Sequence, residues 1–322
     1  MYLSIQSRKS ENILMPYIPG YIELHKTGEL KRRIKALNEI LKECKLCPRE
    51  CGVNRLEGET GICKGLAELM VSSVSPHFGE ELPLVGFNGS GTIFLTHCNL
   101  RCVFCQNYDI SHLGRGHITT SSEMANYMLK LQKMGCHNIN LVTPTHYVPQ
   151  IIASLPEAID SGLRVPLVFN CGGYESLEVI RLLKGIIDVY MPDVKYADGK
   201  VAKKYSMSPD YPEVIKKALL EMHRQVGDLK INQDGIAERG LLIRHLIMPE
   251  RLAGTMELME FIATDISKNS YVNIMAQYNP MYRADEFPEL NRRISSQECQ
   301  EAITTARRAG LHRGFKTPHS PF

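Results

Sequence analysis

From about residue 91 onward, six short apolar runs recur, separated by helix-like segments, and no other feature limits the fold so strongly. "GTIFLT", "NINLVT", "VPLVFN", "IIDVYM", "LLIRHLIM" and "YVNIMAQ" are apolar almost throughout. That is the pattern of parallel strands covered on both faces, not of half-exposed strands. Between the first two, "SSEMANYMLKLQKMG" sets Met124, Tyr127, Met128 and Leu131 on one helical face, with Ser121 or Ser122 as cap and Gly135 as stop. Further helices are expected over about 147–161, in "SLEVIRLLK", over 210–226 and 252–266, and after the capping box of Ser295 and Glu298.

Parallel strands joined by helices cross over right-handedly, and six such units fall short of the eight that close a barrel. The expected fold is therefore α/β, a partial (βα)6 TIM-like barrel over residues 86–322. Its chemistry should gather at the carboxyl ends of the strands. Residues 1–85 read differently: a basic helix-like stretch from Leu30 to Glu43 precedes loop sequence with Gly52, Gly58, Gly61 and Gly65. This part is expected to be an N-terminal accessory region.

With 38 Lys and Arg against 35 Asp and Glu and no blocks of like charge, nothing points to nucleic acid. The opening "MYLSIQSRKSENILMPY" breaks into charge early, and no 18 consecutive residues are apolar, so a soluble, cytoplasmic protein without membrane contact is expected. Ten cysteines without an export signal then favour metal or redox chemistry over disulfides.

The stretch "THCNLRCVFCQN" carries Cys98, Cys102 and Cys105 directly after the first strand, with no fourth cysteine nearby. Three buried, inert thiols are one reading. The other is an open metal centre, since three thiolates can hold three irons of a cubane and leave the fourth to an exogenous ligand.

This CxxxCxxC, with Phe104 before the last cysteine, resembles the radical S-adenosylmethionine (SAM) enzymes. Within them the chain looks most like the activating enzymes of pyruvate formate-lyase, and especially their PflX-like branch. The resemblance runs from about Cys44 to Tyr282 through "PHFGEELPL", "GSGTIFLTHCNLRCVFCQNYDIS", "NCGGYES" and "YMPDVKY". It implies a [4Fe-4S] cluster on Cys98, Cys102 and Cys105, whose open iron takes the amine and carboxylate of SAM, with Phe104 beside the cofactor.

Other positions follow the resemblance less closely. The family's acidic glycine-rich motif after the second strand is replaced by "LVTPTHY", which leaves Thr143 as a SAM contact and removes the acid. Asn170 in "FNCGGY" is a candidate partner of SAM, or else part of the glycine turn alone. Asp193 and Lys195 in "PDVK" lie two apart on one strand face, aimed at SAM or a peptide backbone, or joined in a structural ion pair. Strand alternation lets only one of Arg244 and His245 point inward; Arg244 is favoured, as its fork suits a carboxylate, and Gln277 ends the sixth strand.

The N-terminal "CKLCPRECGVNRLEGETGIC" brings Cys44, Cys47, Cys51 and Cys63, a set suited to a structural zinc or a closed iron-sulfur cluster, with a metal-free reading open. Cys136, Cys171 and Cys299 stand alone and read as core. The resemblance further implies reductive SAM cleavage, a glycyl radical protein as substrate, and a low-potential donor such as flavodoxin or ferredoxin. Against it stand radical SAM chemistry on another protein or small molecule, and a non-catalytic iron-sulfur carrier or zinc-binding interaction protein.

Overall fold

The computed structural model describes residues 17–315. The charged opening stretch up to residue 16 lies outside them, as does the tail after residue 315.

Nine strands make up the sheet: β1 (Leu69–His77), β2 (Ser90–Leu95), β3 (His117–Thr119), β4 (Ile139–Val142), β5 (Leu167–Cys171), β6 (Val189–Val194), β7 (Lys230–Ile231), β8 (Ala237–Leu246) and β9 (Tyr271–Met275). All six apolar runs are strands, and β2, β4, β5, β6, β8 and β9 follow one another in parallel. Helices connect them, Ser121–Lys133, Val148–Asp160, Leu177–Leu182, Tyr211–Val226 and Thr255–Phe261 among them. The result is a partial barrel of six parallel strands, with nearly every connecting helix burying an apolar face against the sheet.

Three strands escaped the sequence pattern. β1 and β3 extend the sheet beyond β2 as antiparallel neighbours, and β7 forms a short antiparallel edge on β8. β1 lies before residue 86, so the sheet begins inside the segment expected to be accessory. The rest of that segment is fastened to the barrel as well. Tyr21 donates to the Val165 carbonyl, Arg33 to that of Leu182, and the buried Arg55 to that of His146.

The first core helix is capped by Thr120 rather than by Ser121 or Ser122. Thr120 accepts from the Glu123 amide while Glu123 accepts from that of Thr120, a reciprocal box that neither serine can form with Glu123 at the required three-residue spacing. The box of Ser295 and Glu298 forms as the spacing predicts. Among the described residues no helix is long and apolar enough to cross a membrane.

Candidate active site

At the carboxyl ends of the parallel strands lies a cavity of about 360 Å³. Cys98, Cys102, Phe104, Cys105, Thr143, Asn170, Asp193, Lys195, Arg244 and Gln277 all border it, so the strands converge every candidate of the barrel on one space. Strand alternation explains this: Asn170, Asp193 and Arg244 take inward positions, while Phe169, Val194 and His245 are buried away from the cavity.

The loop after β2 carries the three thiols, and each lies within hydrogen-bond reach of a neighbour. The Leu100 amide lies 3.4 Å from Cys98 Sγ, the Ser206 hydroxyl 2.9 Å from Cys102 Sγ, and the Ser111 hydroxyl 3.0 Å from Cys105 Sγ. Burial pushes the Cys98 and Cys102 thiols up, and the neighbouring cysteines push Cys98 further. Binding to a metal deprotonates such thiols outright.

The donor set fits a cubane with three protein ligands: three soft sulfurs, each with a hydrogen-bond partner, facing one cavity. Among the described residues no three His, Cys, Asp or Glu side chains gather around a single ion, but a cubane needs no such convergence because each thiolate takes its own iron. Cys171 also borders the cavity, yet its thiol bonds the buried Glu175. Burial raises the Glu175 carboxyl to about 7, against the opposing bonds from Thr145 and Cys171.

Beneath the thiols runs a charged belt. Asp193 receives Arg244 Nε at 2.8 Å on one oxygen and Lys195 Nζ at 2.6 Å on the other. Arg244 also reaches Asn170 Oδ1 at 2.8 Å and Glu80 at 3.5 Å. Burial pushes the Asp193 carboxyl up, but Arg244 and Lys195 outweigh it and hold the group below its ordinary value. The Arg244 fork is thus engaged with protein acids, while Asp193 and Lys195 form the ion pair that their spacing allows.

Thr143 has φ +60°, left-handed backbone rare for a β-branched residue, and His97 beside Cys98 has φ +64°. Both strained positions sit at carboxyl ends of barrel strands, next to the cavity. The Thr143 amide donates to the Asn170 carbonyl at 2.8 Å, which locks the turn in place. Phe104 is buried against Tyr278, ring centroids 5.7 Å apart, and Gln277 accepts at its carbonyl from Gln106.

His245 points out, as alternation requires: Nδ1 donates to the Val194 carbonyl and Nε2 accepts from Thr255. Glu80 and Glu81, not singled out in the sequence, also border the cavity. Asn273 of β9 donates to Glu81 at 2.7 Å. Their only local signal is the acidic pair in "FGEELP".

The family match agrees with this geometry. Residues 92–236 match the family model of the Radical SAM superfamily. A protein of Methanocaldococcus jannaschii named Uncharacterized protein MJ0674 is 33% identical over 300 residues, which cover 90% of this chain and 82% of that protein. Among solved structures, Streptococcus suis SuiB bound to precursor peptide SuiA aligns at 12% identity with TM-score 0.48, over 70% of this chain and 47% of SuiB. HydG, a maturase of the [FeFe]-hydrogenase, aligns at 14% identity with TM-score 0.46, over 70% of this chain and 51% of HydG. The chain spans about half the length of each of these two structures. With its three-cysteine loop at the mouth of a six-stranded parallel barrel and a family match across that loop, this chain belongs to the radical SAM superfamily.

Proposed function

We propose that this protein reductively cleaves SAM and acts as an activating enzyme for a glycyl radical protein, taking electrons from a low-potential flavodoxin or ferredoxin. The supporting observation is the meeting of three thiols with Asp193, Lys195, Arg244 and Asn170 around one cavity. When bound, the cluster and SAM together supply a 5'-deoxyadenosyl radical, which abstracts hydrogen from the substrate.

The chain's own part is to hold and orient. Cys98, Cys102 and Cys105 hold the irons. An ammonium carries three donors, and among the described residues Lys195 Nζ is bonded to Asp193 alone, so it keeps donors for the SAM carboxylate. Arg244 fixes the Asp193 and Asn170 side chains, and Phe104 packs the loop against Tyr278.

The four N-terminal cysteines, expected to hold an iron-sulfur cluster or zinc, are read as a second metal centre; as no three of them gather around a single ion, a cluster with one iron for each thiolate suits them better than zinc. Arg55 supports this. It is 1% exposed, and among the described residues it donates to carbonyls and lies 5.8 Å from the Tyr147 ring, with no carboxylate bonded to it. Its field lowers the Cys63 thiol against the larger upward push of burial, so an anionic thiolate centre there would supply the missing counter-charge.

A second reading, radical chemistry on a different substrate, is favoured by the acid-free turn at Thr143 and the acidic pair Glu80 and Glu81 at the cavity wall. Anaerobic reconstitution, followed by an assay for 5'-deoxyadenosine with and without a glycyl radical protein, tests both. Cleavage that the protein leaves without a glycyl radical signal overturns the first reading. Metal analysis of Cys47→Ala tests the second centre, which is refuted if iron and zinc stay unchanged.

A further inference from the structure

The helix Gly199–Ser206 ends directly behind the three-cysteine loop. The last carbonyls of a helix have no partner within it. Here they find one in the loop: the Val103 amide donates to the Tyr205 carbonyl at 2.9 Å, and the Arg101 amide reaches that of Ser206 at 3.5 Å. The two amides flank Cys102, so the helix end is a mount for that residue.

Arg49, between Cys47 and Cys51, completes the mount. Its guanidinium donates to the carbonyls of Ser206 and Met207 and to that of Asn99 beside Cys98, and it stacks 5.1 Å from the Tyr174 ring. One side chain from the N-terminal cysteine loop thus ties the three-cysteine loop to the helix end behind it.

The Ser206 hydroxyl, in a side chain with no exposed surface, lies 2.9 Å from Cys102 Sγ and 2.7 Å from the hydroxyl of the equally buried Tyr196. A thiolate that ligates iron has no proton to give. Ser206 must therefore donate to Cys102, and because it has one proton, Tyr196 must donate to Ser206. The order of donors is fixed: Tyr196 to Ser206 to Cys102. A chain of this kind strengthens its final bond, because each donor polarises the next.

We propose that Ser206 is a positioning residue that sets the reduction potential of the catalytic cluster through its bond to Cys102, with Tyr196 strengthening that bond. Hydrogen bonds to cluster sulfurs are among the groups that set such potentials. A donor stabilises the more negative, reduced state, so it raises the potential. The inference rests on the cluster assigned above, not on any particular substrate.

The test is a redox titration of the anaerobically reconstituted protein, followed by electron paramagnetic resonance without substrate, with iron content measured alongside. Ser206→Ala is expected to keep its iron and shift the midpoint potential downward. Tyr196→Phe is expected to shift it the same way by less, and to add nothing in the Ser206→Ala background. Ser206→Thr, which keeps the hydroxyl, restores the wild-type value. A Ser206→Ala protein with full iron and an unshifted potential overturns the inference, as does a Tyr196→Phe shift that persists undiminished without Ser206. If Ser206→Ala loses its iron, Tyr196→Phe alone decides, because its hydroxyl does not touch the sulfur. A wild-type protein that binds no cluster refutes the cluster assignment and this inference together, whereas failure to activate a glycyl radical protein leaves the potential measurement intact.

Discussion

Asp193 and Arg244 stand opposite each other on β6 and β8, with Arg244 Nε 2.8 Å from Asp193 Oδ1, while Lys195 holds the other carboxylate oxygen at 2.6 Å. Asp193 thus bridges two buried cations at the floor of the cavity, and Glu80 adds a second carboxylate 3.5 Å from Arg244. Asp193→Asn keeps the shape and removes that charge, so it is expected to cost about 3 kcal/mol, the scale for breaking a buried pair from one side. It should also weaken SAM binding without emptying the iron site. Thermal melts, iron analysis and 5'-deoxyadenosine formation check this; an unchanged melt with wild-type cleavage would refute it.

Each of Cys98→Ala, Cys102→Ala and Cys105→Ala is expected to lose the catalytic cluster, because two thiolates cannot hold three irons. The reading is iron per chain and 5'-deoxyadenosine after anaerobic reconstitution. A single variant that cleaves SAM at the wild-type rate would remove that residue from the ligand set.

Gly173 has φ +78°, and a Cβ there would lie 2.5 Å from the Asp193 carbonyl oxygen and 2.5 Å from Ile215. Gly162 has a comparable φ of +98° with nothing within 4 Å. Gly173→Ala should therefore destabilise by roughly 1–3 kcal/mol beyond Gly162→Ala, the scale of overpacking, and should disturb Asp193. Denaturant midpoints of the two variants give the difference, and equal midpoints would show that the turn tolerates the methyl.

Burial holds the His245 ring down at about 4, against the bond to the Val194 carbonyl and with help from the Lys195 charge. The ring is neutral in the fold, so its stabilising contribution is present above the ordinary value near 6.5 and is lost as pH falls toward about 4. Nitrogen resonances of labelled histidine should show His245 neutral at pH 5.5. Titration near 6.5 would contradict its enclosed position.

The parts that could be read from the sequence share a physical cause. Strands covered on both faces are apolar throughout, so β2, β4, β5, β6, β8 and β9 announce themselves; alternation admits only one of Arg244 and His245 inward, and the guanidinium fork singles out Arg244. β1 gives no such signal. "LMVSSVSPH" is half-exposed, serine-rich and interrupted by Pro76, and it becomes a strand only because β2 offers an edge. Glu80 was hidden for another reason: it acquires its role from Arg244, far along the chain, and no local pattern encodes that meeting. The Thr120 cap, by contrast, was written in its three-residue spacing to Glu123.

Among the described strands β9 pairs with β8 alone, so no backbone ladder carries it back to the start of the barrel. What reaches it from the β1–β2 connection is the Glu81 carboxylate, which takes Asn273 on both oxygens at 2.7 Å. The ring is therefore clasped and not welded. A ladder resists parting along its whole length, but a clasp yields at one point, so a small widening of this seam needs no strand to leave the sheet. The proposed radical chemistry demands exclusion of water, and the proposed protein substrate demands admission. A seam held by side chains, the Glu81–Asn273 clasp with Glu80 on Arg244 beside it, lets one wall serve both demands in turn.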